Sequence, residues 1–208
     1  MKRILLATAA CAGLATAAAA EPANIGIILG FTGPLESITP GMAASAELAL
    51  KEASDSGKLP GGMTLAPSRA DSTCIDAAAA TTAAQQLVNS QKVAAIVGAD
   101  CSGVTTAIAN NVAVPAGVVM ISPSSTSPAL STINDDGYFF RTAPSDARQG
   151  EVLADLATEK GITEVAVTFT NNDYGKGFAD AFAAAFEKLG GKVAISACLL
   201  YTSPSPRD

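Results

Sequence analysis

The sequence has no histidine and no tryptophan, and charged residues fill only 15% of its 208 positions. Without imidazole, histidine-ligated zinc hydrolase sites, Ser-His-Asp triads and histidine acid–base catalysis are excluded. Positive charge is also sparse. Thirteen Lys and Arg stand against 19 Asp and Glu, a net charge of −6, and no basic block follows the first three residues. A nucleic-acid partner needs a clustered basic face, so none is expected. Nucleotide-binding loops are missing too. The stretch from Gly30 to Gly33 does not extend to GxGxxG, and Gly175-Lys176 lacks the earlier glycine and following hydroxyl residue of a P-loop. No GxSxG elbow occurs. Asp135-Asp136 lies in an apparent turn, where solvation suits two carboxylates better than acid–base chemistry. No cofactor, metal site or enzymatic activity is expected.

What is present begins with "MKRILLATAACAGLATAAAAEPANIG". Lys2 and Arg3 form a charged start, Ile4 to about Ala17 an apolar stretch, and Ala18-Ala19-Ala20 a small-residue cleavage site. Residues 1–20 therefore read as a signal peptide cleaved after Ala20, with export to the periplasm. Thr8-Ala9-Ala10 before Cys11 is a poor match to a lipoprotein signal.

The other end, "CLLYTSPSPRD" from Cys198 to Asp208, matches a conceptual translation of a transposase-type sequencing adapter. Residues 198–208 are accordingly expected to be an artefact, and the gene to be truncated near Ala197. Setting both ends aside leaves Cys74 and Cys101. An even pair in an oxidising compartment favours one disulfide over two buried thiols.

Between these ends the chain alternates strand-like and helix-like segments. Asn24–Gly30, Lys92–Gly98 and Ala116–Ser122 are short apolar runs, and "MTLAPSRADS" is an edge-like strand because Pro67 cannot donate to a central ladder. "GMAASAELALKEAS" puts Met42, Ala46, Ala49, Leu50 and Ala53 on one helical face. Further helices are expected from Asp76 to Asn89, from about Ser102, from Ser145 to about Lys160, and from Asp173 to Leu189, with Gly190 as C-terminal cap. This order specifies α/β architecture with parallel, doubly wound sheets. The Ser/Thr/Pro stretch at Pro123–Thr132 divides it into a first unit, 21–122, and a partial second unit, 123–197.

In doubly wound sheets, ligands sit beyond the carboxyl ends of the strands. Those ends here are "GFTGPLES", "GADCSG", "SPSSTS" and "TNNDYG", all rich in small hydroxyl or amide residues. Ser102 and Gly103 open a helix, where free N–H groups suit an anion; simple N-capping by Ser102 explains them equally. Ser124 offers a carbonyl and Thr126 a hydroxyl, although the same stretch reads as a linker. Tyr174 stands on the first turn of a helix, either covering a ligand or merely exposed.

At these residues the sequence resembles the periplasmic leucine/isoleucine/valine-binding protein family, type I substrate-binding proteins of ABC amino-acid transporters. The resemblance runs in order through "IGIILGFTGPL", "DSTCIDAAAA", "AIVGADCSGVT", "VVMISPSSTSPALS", "FFRTAPSDARQG" and "NNDYGKGFAD". It implies two Rossmann-like lobes, the second incomplete here, joined by three crossovers and closing on a ligand between them. It further implies that Cys74 and Cys101 form a first-lobe disulfide and that Ser102, with Gly103, holds a ligand carboxylate. Ser124 and Thr126 match positions binding ammonium and carboxylate, and Tyr174 matches an aromatic lying over the ligand. The first loop departs from the pattern: Ile38 or Thr39 stands where many members carry an aromatic. The family's acidic ammonium partner is expected to lie beyond this chain.

The function implied is delivery of a small amino acid, or a related amide, to a membrane permease by a protein that is a monomer at full length. A sensor domain of a receptor built on the same fold is the alternative. Glu21–Ala197 alone is expected to aggregate and to bind weakly, because a half-built sheet leaves apolar edges bare.

Overall fold

In the computed structural model, residues 21–199 are described; the expected signal peptide and residues 200–208 of the tail lie outside them. The first sheet has five parallel strands in the order β2-β1-β3-β4-β5. These are β1 (Ala23–Leu29), β2 (Leu65–Asp71), β3 (Ala95–Gly98), β4 (Val119–Ser122) and β5 (Phe139–Arg141). Ile27, Ile28 and Leu29 in β1 are fully buried because helices cover both faces of the sheet. Ile27 and Leu29 pack toward α1 (Thr39–Asp55), and Ile28 joins a larger core with α2 (Ala77–Asn89) and α3 (Ser102–Ile108). A strand buried on both sides reads as a continuous apolar run, which is why "IGIIL" does not alternate. Pro67 lies in β2 at the sheet edge, as its missing donor requires.

Local chemistry sets the helix ends. Asp76 caps α2, its carboxylate accepting from the amides of Ala78 and Ala79, both at 2.9 Å. Behind it Ala80, Ala84 and Leu87 form the buried stripe. Helix α1 begins at Thr39, earlier than the pattern predicts, with Pro40 in its first turn. Ala43 is its most buried core residue, whereas Ala49 faces outward. Strand β3 is shorter than predicted: Lys92 takes a φ of 53°, a turn conformation, so pairing starts only at Ala95. After α3 the chain widens into one π-type segment, Ala109–Ala113.

The division between units falls later than residue 122. Strand β5 pairs with β4, so the first sheet runs to Arg141, and the chain crosses over at Thr142–Ser145. The Ser/Thr/Pro stretch is not a free linker: Ser125 and Ser127 in it are almost fully buried at the end of β4. A strand of only three residues leaves too short a pattern for its pairing to be read from sequence.

The second sheet holds β6 (Glu164–Thr170) and β7 (Lys192–Leu199), paired in parallel. Phe182 and Phe186 of α5 (Asp173–Lys188) pack over Val165, Val167 and Val193. Burying Phe186 contributes about 1.5–3 kcal/mol. Helix α4 (Asp146–Glu159) lies against α5 rather than on the opposite side of the sheet. The two helices approach so closely at Gly150 that a methyl group there would meet the Ala181 backbone at 2.7 Å. Gly190 has a φ of 87° and ends α5 in a Schellman motif, with its own amide on the Glu187 carbonyl and that of Gly191 on Phe186. Covered on one face only, this sheet leaves Ile195 and Leu199 more than half exposed.

Candidate functional site

The carboxyl ends of β3 and β4 are joined by buried hydroxyls. Ser122 donates to the Ala99 carbonyl at 2.5 Å and accepts from the Ser125 amide at 3.0 Å. Ser125 and Thr105 share a hydrogen bond of 2.6 Å between their hydroxyls. These serines fix the loop from inside and leave Ser124 and Thr126 at its surface, exposed and half-buried respectively.

Ser102 opens α3 and is buried, at 3% exposure. Its hydroxyl oxygen accepts from the Ser127 amide at 3.1 Å, so the hydroxyl hydrogen remains available to donate. The amides of Ser102 and Gly103 belong to the first helical turn, which has no intrahelical acceptors. Ser124 donates to the Asp100 carbonyl at 3.0 Å, which commits its side chain. Thr126 donates at 2.7 Å to Oδ2 of Asp146.

Asp146 was not singled out by sequence pattern, yet it is the most unusual group at this junction. It is 1% exposed, and its other oxygen, Oδ1, is buried without a hydrogen-bond partner among the described residues. Arg141 lies near enough to interact with its charge. Burial lowers the Arg141 guanidinium from its ordinary range, and the Asp146 carboxylate partly restores it. Arg141 also donates to the carbonyls of Ser125 at 3.3 Å and Ser127 at 2.9 Å, so one cation holds the β4 loop at the crossover. A buried carboxylate oxygen without a donor is a place where a ligand cation gains a strong, charge-assisted hydrogen bond.

The second unit meets this rim through the start of α5. A methyl group on Gly103 would lie 3.6 Å from Oδ2 of Asp173, and one on Gly177 would lie 3.1 Å from the Ser127 hydroxyl. The starts of α3 and α5 therefore face each other across the loop that follows β4. Asn172 caps α5 by accepting from the Gly175 amide at 2.8 Å. Tyr174, one residue beyond Asp173, is 44% exposed. Of the five predicted residues, Ser102, Gly103, Ser124 and Thr126 share the first unit's rim, whereas the Tyr174 ring stacks on Phe178 of its own helix, their centroids 6.4 Å apart. A cavity of about 420 Å³ lies elsewhere, along β6 and α5, lined by Leu153, Phe169, Phe178 and Phe182; Tyr174 alone of the five borders it.

The predicted disulfide is present. Cys74 and Cys101 are bonded, with their Cα atoms 5.2 Å apart. It ties the loop after β2 to the residue immediately before Ser102.

The family described as "Receptor family ligand binding region" matches residues 41–202. The chain belongs to this family. Its fold is that of the type I periplasmic binding proteins, with the second lobe partial. It is 32% identical over 89% of its length to a Leu/Ile/Val-binding protein homolog 3 of Brucella melitensis, covering 49% of that protein. It is 29% identical over 86% of its length to a chemotactic signal transduction substrate-binding protein of Halobacterium salinarum, covering 44% of it. The branched-chain amino acid substrate-binding protein LivJ of Streptococcus pneumoniae, solved with isoleucine, superposes with a TM-score of 0.73. Identity to it is 28%, over 90% of this chain and 52% of that one. The chain spans about half the length of the curated relatives it matches.

Sequence reasoning missed Asp146 and Arg141 because the end of β5, which they flank, was not read as one of the sheet's strand ends. Asp146 is the first residue of α4, where an acid is ordinary as a partner of the helix dipole. Only its burial distinguishes it. Of the two first-loop candidates, Thr39 is fully buried with its hydroxyl on the Gly30 carbonyl, which leaves Ile38, 57% exposed, as the side chain facing outward.

Proposed function

We propose that the chain is part of the extracytoplasmic solute-binding component of an ABC transporter. It takes a branched-chain or similar small amino acid, or its amide, between two hinged lobes in the periplasm and passes it to an inner-membrane permease. The carrying observation is the pairing, at one junction, of a helix start bearing a hydroxyl hydrogen free to donate with a buried carboxylate oxygen that lacks a donor among the described residues. Those are complementary to the two ends of a zwitterion.

In this reading Ser102 and Gly103 hold the ligand carboxylate, and the Ser124 carbonyl and Thr126 lie along the ligand backbone. Asp146 accepts from the ammonium, and Tyr174 covers the ligand from the second lobe. A ligand touching both lobes favours the closed arrangement because only there does it make both sets of contacts. The chemistry requires no cofactor and no covalent step, and the protein acts as a monomer.

The test is calorimetry on the chain extended at Ala197 by the C-terminal half of the Brucella relative. Leucine, isoleucine and valine are compared with their N-acetyl and decarboxylated derivatives. Binding restricted to molecules with both charged ends supports the reading; equal binding of the derivatives overturns it. A sensor domain is the second reading, favoured by the likeness to the chemotactic protein of Halobacterium. Permease and ATPase genes beside this one support transport, and a methyl-accepting transducer gene supports sensing.

A further inference from the structure

Asp100 is a buried carboxylate, 4% exposed, with no part in the ligand contacts above. Both of its oxygens accept from the Gly30 amide, each at 3.1 Å. Its Oδ1 also accepts from the Ser72 hydroxyl at 3.2 Å, and its backbone carbonyl accepts from the Ser124 hydroxyl at 3.0 Å. Gly30 follows β1, Ser72 follows β2, Asp100 follows β3 and Ser124 follows β4. Three rim loops are thus tied to one residue of the fourth. Gly30 suits its place: a methyl group there would lie 3.1 Å from Cβ of Cys74 and 3.2 Å from Oδ2 of Asp100.

The next residue, Cys101, carries the disulfide to Cys74, and the one after it is Ser102. Asp100 therefore fixes the backbone just before the proposed anion-binding turn, and through Ser124 it also fixes the loop that faces the ligand. We infer that Asp100 is a positioning residue for the ligand site, holding the loops after β1, β2 and β4 in register with the start of α3. This rests on the binding reading given above. A neutral side chain of the same shape keeps one acceptor but in either orientation sets an NH₂ group against the Gly30 amide, which lies 3.1 Å from both oxygens. A buried hydrogen bond to a charged group is weakened, and a donor is left facing a donor.

The test compares wild type with D100N, using two readouts on each. In the chain extended as above, hydrogen exchange followed by NMR reports the amides of Gly30 and Gly103. In the extended chain, calorimetry reports leucine, isoleucine and valine affinity, with denaturant unfolding beside it. The expected result is faster exchange at both amides and an affinity loss of about tenfold, with the unfolding transition still cooperative and the variant folded at the titration temperature. A second variant, S72A, removes one donor and is expected to weaken binding by a smaller factor. If D100N binds as wild type does, or loses only global stability, the inference is overturned while the binding reading stands. If wild type binds none of the three amino acids, the reading itself fails and the inference with it.

Discussion

Thr126 and Asp146 hold each other twice. The Thr126 hydroxyl donates to Oδ2 of Asp146 at 2.7 Å, and the Asp146 amide donates to the Thr126 carbonyl at 2.9 Å. The first residue lies in the loop after β4 and the second opens the first helix of the next lobe. The pair thus spans the crossover, and it leaves Oδ1 of Asp146 buried without a partner among the described residues.

Replacing Asp146 by Asn keeps the shape and removes the charge. In the extended chain, affinity for zwitterionic amino acids is expected to fall about tenfold or more. Affinity for the matching 2-hydroxy acids, which lack an ammonium, is expected to be much less affected. Calorimetry with both ligand classes decides. An equal loss for the two would remove Asp146 from the ammonium role.

Ser102→Ala together with Thr126→Ala removes both hydroxyls proposed to face the ligand. Binding is expected to disappear, with far-UV circular dichroism unchanged. Unaltered calorimetric affinity would overturn this site assignment.

The disulfide closes a loop of sequence separation 27. Limiting the unfolded chain to that extent is worth about 3.5 kcal/mol by loop entropy. Cys74→Ser with Cys101→Ser is therefore expected to lower the unfolding free energy by about 2–4 kcal/mol in denaturant titrations. Alkylation of the non-reduced chain should leave both residues unmodified; label on Cys74 and Cys101 themselves would refute the bridge.

Asp71 supplies a pH dependence. Burial pushes its carboxyl upward, but hydrogen bonds from the Thr32 hydroxyl and from the Thr73 and Thr32 amides outweigh it, and the net position is below the ordinary 3.8. A lowered folded value means that stability is fully present above the ordinary value and is lost as pH falls through the folded one. Asp71→Asn is expected to flatten the acid limb of stability below about pH 4 and to leave its slope near neutrality unchanged. The check is chemical denaturation at stepped pH. An identical acid limb in the variant would remove Asp71 from the effect.

Much of the fold was legible because its cause is local. The doubly buried run around Ile27, the Asp76 cap and the glycine at 190 each act through spacing or backbone preference that a one-dimensional pattern carries. Strand β5 was not legible as part of the first sheet, since three residues hold no period and its partner is set by pairing at a distance. The hydroxyl-rich strand ends identified Ser102 and Thr126 as candidates. Their composition could not tell which hydroxyls turn inward to hold the loop, as those of Ser122 and Ser125 do, and which remain outside.

By itself the sequence determined the parallel α/β order, the pair of cysteines free to bond and the chemistry of the rim, because these follow from residue type and repeat. Only the tertiary structure decided that the first sheet extends to Arg141, that three other loops converge on Asp100 and that Asp146 is buried with an oxygen unpaired among the described residues. An acid at a helix start looks the same in sequence whether water or protein surrounds it. Desolvation, which gives such a group its chemical use, is a property of what packs around it.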